Sequence, residues 1–77
     1  MMTPEHSRAA RAWLGWTQQE LADRAKVGLS TVKDFEAGKR APIANNLAAM
    51  HAALTAEGIR MDFHKDGKPK GITIKAD

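Results

Sequence analysis

Residues 17–40, TQQELADRAKVGLSTVKDFEAGKR, hold two short helical patterns with almost nothing between them. Thr17 and Glu20 form a capping box: the threonine oxygen accepts from the third backbone amide, and the glutamate reaches back to the cap. Leu21, Ala22 and Ala25 follow at helical spacing, which predicts a helix of about nine residues. A helix that short is unstable alone and has to pack. The next begins near Gly28 or Leu29 and ends before Gly38, which suits a left-handed C-terminal cap. Leu29, Val32 and Phe35 are three apart, although Leu29 stands at the very start and has an outward alternative. Two helices joined this closely must cross at a steep angle.

The flanks extend the helical pattern. Thr3, Pro4 and Glu5 read as a helix start, with a hydroxyl cap, proline at the first helical position and an acid near the positive end of the dipole. This helix runs to about Leu14, burying Ala10, Trp13 and Leu14, and Gly15 stops it. Another starts after Pro42, around Ala44 or Asn45, with Leu47, Met50 and Leu54 as its buried stripe, and ends at Gly58. Beyond Gly58 the period changes from helical to alternating. IRMDF (59–63) and ITIK (72–75) flank a turn containing Asp66 and Gly67, which reads as a β-hairpin. A lone hairpin is marginal in water, so it packs on the helices or pairs with a partner's strands. Trp13, Trp16, Met50, Met61 and Phe63 are read as core. The division expected is a helical domain over 1–58 and a hairpin over 59–77.

With 77 residues there is room for one domain and little for an internal substrate cavity. The chain has no cysteine, which removes disulfides and thiolate metal sites and fits a reducing cytosol. His6, His51 and His64 lie far apart, without the spacing of a ligand pair, so neither a metal nor another cofactor is expected. No apolar run approaches the roughly 20 residues of a membrane span, and the start has no secretory hydrophobic segment. A cytoplasmic protein without membrane contact is the expectation. Gly38 and Lys39 lack the upstream glycine and the following hydroxyl of a phosphate loop, and no serine, histidine and acid arrangement is suggested. No catalytic residue is assigned. The net charge of +3 is spread along the chain and suits an acidic polymer if the fold gathers cations on one side.

Leu14, Gly15, the run Thr17-Gln18-Gln19-Glu20-Leu21-Ala22, then Val27, Ser30, Val32, Glu36, Gly38, Lys39 and Arg40 before Pro42 form a joint pattern. With RAWLGW in front, it resembles the helix-turn-helix domain of the Cro and phage-repressor family, also called the XRE family. The resemblance covers about residues 5–57. It implies a mainly α fold, a four-to-five-helix Cro/repressor-like domain to which the hairpin is appended. In that family the first of the two close helices crosses the DNA backbone while the second lies in the major groove.

Carried over by position, the resemblance puts Leu29, Ser30, Lys33 and Asp34 toward bases, and Thr17, Gln18, Thr31, Lys39 and Arg40 toward phosphates of double-stranded DNA. Arg11 and Glu36 match an ion pair between the first and third helices. Two departures stand out. Gly28 occupies a cap where the family often has Ser or Thr, and the reading face has no Arg, Gln or Asn for a bidentate base contact. Leu29 suits a thymine methyl, Ser30 several bases, Lys33 guanine or phosphate, and Asp34 a cytosine amine. Lys65, Lys68 and Lys70 read as a charged turn.

The function this implies is a sequence-specific transcriptional regulator, a homodimeric repressor or controller on a two-fold symmetric operator. Dimerisation is assigned to the hairpin, through Ile59, Met61, Phe63, Ile72 and Ile74, by strand pairing across the two-fold axis. The alternative is a protein-binding antiactivator or antitoxin, whose helix-turn-helix face serves a regulatory protein partner.

Overall fold

The computed structural model describes residues 1–75. Among them the chain forms α1 (Pro4–Leu14), α2 (Gln18–Ala25), α3 (Leu29–Glu36), α4 (Ala44–Thr55), β1 (Ile59–Phe63) and β2 (Pro69–Ile74). Both expected starts are capped by threonine. Thr17 and Glu20 make the full capping box at α2, with Glu20 N–H donating to Thr17 Oγ1 at 3.0 Å and Thr17 N–H to Glu20 Oε1 at 3.1 Å. At α1, Thr3 is paired instead with His6: the His6 amide donates to Thr3 Oγ1, and the Thr3 amide donates to the ring Nδ1 at 3.1 Å. An imidazole here does what glutamate does in α2.

The ends follow the glycines. Gly15 at φ 71° lets its amide turn back onto the last carbonyls of α1, and Gly38 at φ 73° does the same after α3. Gly28 caps α3 with no side-chain hydrogen bond.

The core gathers Leu21, Ala22 and Ala25 of α2, Val32 and Phe35 of α3, and Leu47, Met50 and Leu54 of α4, joined by Ala10, Trp16 and Met2. Trp13 corrects the sequence reading: it is 64% exposed. The buried row of α1 runs through His6, Ser7 and Ala10 toward half-buried Leu14, and Trp13 falls on the flank of that row.

β1 and β2 pair antiparallel with Ile59 opposite Ile74 and Met61 opposite Ile72, and a bulge follows Asp62. Asp66 takes the Lys68 amide at 3.0 Å in the turn. The hairpin rests on the helices through one face: Ile59 and Met61 are buried, and Ile72 packs against the same core. A two-stranded sheet that is marginal alone is thereby stabilised within its own chain.

Candidate nucleic-acid interface

Three helices meet at one buried carboxylate. Glu36, 3% exposed at the end of α3, pairs with Arg11 of α1 at 2.7 Å. Arg11 Nε also donates to both carboxylate oxygens, at 3.1 and 2.9 Å, and its Nη1 donates to the Trp16 carbonyl at 2.9 Å. Ser7 Oγ donates to Glu36 Oε2 at 2.5 Å, and Gln18 Nε2 of α2 donates to Oε1 at 3.1 Å. Arg8 Nη1 donates to the Glu36 carbonyl. Burial pushes the Glu36 carboxyl up, but the hydrogen bonds from Arg11, Ser7 and Gln18 with the charge of Arg11 outweigh it, leaving the group below its ordinary range. The hydrogen bond to Glu36 raises Arg11 against the opposing effect of burial. Charged and fully partnered, this cluster fixes the relative placement of α1, α2 and α3 at the cost of desolvating two ions.

Several polar side chains are accessible on α3 and the loop after it. On α3, Ser30 and Lys33 are exposed, while Leu29, Thr31 and Asp34 are half-buried. The loop after α3 is tied back to the helix: the amides of Lys39 and Arg40 donate to the Asp34 carbonyl at 2.9 and 3.4 Å. Lys39 and Arg40 therefore stay beside α3 with exposed side chains. Ser30, Thr31, Asp34 and Arg40 line one open cleft of about 240 Å³, whose far wall includes Ile43 and Asn46. At the start of α2, Thr17 is exposed and Gln18 half-buried.

The sequence-derived residues thus divide. Ser30, Thr31, Asp34 and Arg40 come together around the cleft, Lys33 stands exposed on the same helix, and Lys39 adjoins it in the loop. Gln18 is held by the ion-pair cluster, a partner that its position alone did not reveal. Asn46 was missed; it belongs to α4 and reaches the cleft only through tertiary packing. The five hairpin residues do not share one free surface. Ile59 and Met61 are buried in the chain's own core and Ile72 is half-buried, whereas Phe63 and Ile74 are 37% and 36% exposed.

Among the described residues no group of three or more histidines and carboxylates is arranged to hold a metal ion, and no helix is long and apolar enough to cross a membrane. No curated protein matches the chain. A family model described as helix-turn-helix matches residues 8–55, a span that contains α2, α3, the loop cations and the ion-pair residues Arg11 and Glu36. By that match the chain belongs to the Cro/phage-repressor (XRE-type) helix-turn-helix family and is a DNA-binding regulator.

Proposed function

We propose that the protein is a sequence-specific transcriptional regulator, a repressor or controller that acts as a homodimer on a two-fold symmetric operator. In this reading α3 enters the major groove, Leu29, Ser30, Lys33 and Asp34 face bases, and Thr17, Gln18, Thr31, Lys39 and Arg40 hold phosphates. The observation that carries it is the cleft shared by α3 and the following loop, in which Ser30, Thr31 and Asp34 stand beside Arg40. Base-reading and phosphate-binding chemistry lie within one side chain's reach. Phe63 and Ile74, the exposed apolar residues of the hairpin, together with the strand backbone, are the dimer contacts of this reading. Ile59, Met61 and Ile72 serve it from beneath, by holding the hairpin in place.

The experiment is selection from random duplex DNA at two salt concentrations, with sequencing of the bound pool. A two-fold symmetric motif, lost when Ser30 and Lys33 are changed to alanine, is the expected result. A pool without an enriched motif overturns the operator reading. Truncation at Gly58 tests the dimer separately, and an undiminished, folded dimer removes the hairpin from it.

A second reading, a protein-directed antiactivator or antitoxin, is favoured by Ile43, which is 69% exposed in the wall of the cleft. An apolar side chain there suits a protein surface. Binding of a cognate protein with little salt dependence distinguishes it from phosphate contact, which weakens steeply with salt.

A further inference from the structure

We propose that Glu36 is a positioning residue for the DNA contact made by Gln18, by fixing which end of the Gln18 amide faces the phosphate. The proposal rests on the reading of Gln18 as a phosphate contact and adds the device that orients it.

A primary amide has a donor end with two N–H groups and an acceptor end with a carbonyl oxygen, and only the first suits a phosphate. An exposed glutamine exchanges the two ends freely and carries substantial rotamer entropy. Gln18 is not free to do so. Its Nε2 donates to Glu36 Oε1 at 3.1 Å, and Glu36 in its ionised form can only accept. The amide oxygen is excluded from that position, so the nitrogen points inward to Glu36. This bond uses one N–H and leaves the second on the same nitrogen for a phosphate at the start of α2, where Gln18 is half-buried.

The orienting carboxylate is itself immobile. Arg11 donates to both oxygens through Nε and again to Oε1 through Nη2, and Ser7 donates to Oε2 at 2.5 Å. Arg11 further fixes the Trp16 carbonyl, immediately before the α2 cap, at 2.9 Å. One buried cluster therefore sets both the α1–α2 turn and the amide at the head of α2. Because Gln18 is neutral, losing its contact weakens DNA binding without changing how many phosphates are neutralised. The salt slope, set by Lys and Arg contacts, stays the same.

The test compares wild type, Gln18→Ala, the double variant Arg11→Met with Glu36→Met, and the triple variant, using a 20-base-pair duplex across a salt series. Replacing a buried ion pair by an apolar pair of similar size commonly preserves the fold, and thermal unfolding checks this first. The expected result is an affinity loss of about tenfold for Gln18→Ala and for the double variant, with parallel salt slopes. The triple variant is expected within about twofold of the double variant, because the Gln18 contact is already lost there. Losses that multiply in full, or a folded double variant that binds like wild type, overturn the proposal.

A measurement on the wild type covers the case in which the double variant does not fold. In the nitrogen-15 spectrum of the Gln18 side chain, one amide proton is expected to be protected before DNA is added and the other to shift when the duplex binds. Two equally unprotected protons, neither of which shifts on adding the duplex, overturn the proposal while Lys39 and Arg40 still respond. Wild type without salt-sensitive DNA binding overturns the operator reading itself, and this inference with it.

Discussion

The ring of His6 is bonded through Nε2 to the carbonyl of Asp62 at 2.7 Å, joining the first turn of α1 to β1 across 56 residues. The Thr3 amide donates to Nδ1, which leaves the ring proton on Nε2 for Asp62. The same imidazole lies edge-on to Phe63, with centroids 4.7 Å apart. One side chain thus closes a helix cap and anchors the hairpin. His6→Ala is expected to cost about 2–3 kcal/mol, because it opens a buried space and strands polar partners. Denaturant unfolding measures the loss, and amide exchange along β1 locates it. A loss below about 0.5 kcal/mol, with β1 still protected, shows that the hairpin is held by its apolar face alone.

Lys26 ends α2 in the left-handed region at φ 57°, the only non-glycine among the described residues with positive φ. Gly38 ends α3 at φ 73° with open space where a Cβ would stand. The two positions ask for the same backbone and are filled by opposite residue types. Lys26→Gly is expected to stabilise the fold by about 0.5–1 kcal/mol and Gly38→Ala to destabilise it by about 1 kcal/mol. Paired thermal melts decide this. Equal signs for the two changes refute the conformational argument.

The difference between local and tertiary information explains what the sequence made readable. Thr17 with Glu20, Gly15 and Gly38 act within one turn of their own helices, so their spacing foretold the ends of α1, α2 and α3. Leu47, Met50 and Leu54 likewise marked the buried stripe of α4. Trp13 misled because a large apolar residue near a helical stripe reads as core, while small Ser7 and Ala10 are the residues that allow close packing. His6 carried no local sign of burial, since Asp62 and Phe63, which cover it, come from the far end of the chain. Alternation in the hairpin gave β1 but began the second strand at Ile72, where β2 starts at Pro69, and could not say whether Ile59 and Met61 faced this chain or another. At the interface, the matching of Arg11 to Glu36 was visible through the family resemblance. The attachment of Gln18 to that pair and the arrival of Asn46 at the cleft depend on helix placement.

The Glu36 carboxyl lies below its ordinary value in the folded protein, so over the interval between the folded and unfolded values the unfolded chain binds more protons. Its stabilising contribution is complete above the ordinary carboxylate range, near 4.5, and is lost as pH falls through the lower folded value. Asp62 shifts in the same direction, through its hydrogen bond from Thr73 and then that from Arg60, so the wild-type acid limb contains both groups. The Arg11→Met, Glu36→Met variant is expected to lose stability less steeply than wild type between about pH 5 and pH 3. Denaturant midpoints across that range measure the difference. Superimposable acid limbs refute a role for Glu36 in it.

Lys39 and Arg40 are exposed, and their amides are bonded to the Asp34 carbonyl at the end of α3. In the proposed operator complex a cation held beside α3 meets phosphate in a fixed register, and each phosphate neutralised contributes about 0.9 to the slope of log affinity against log salt. Changing both residues to alanine is therefore expected to reduce the slope by about 1.8 on any duplex, with or without an operator. Ser30→Ala is expected to act differently: a neutral hydroxyl on the reading face alters preference among sequences and leaves the slope intact. The informative measurement is the full salt series for both variants on two unrelated duplexes. An unchanged slope for the Lys39, Arg40 variant takes the loop off the phosphates and leaves its tie to Asp34 as a way of ending α3. A slope change from Ser30→Ala would mean that losing the hydroxyl shifts the whole helix in the groove.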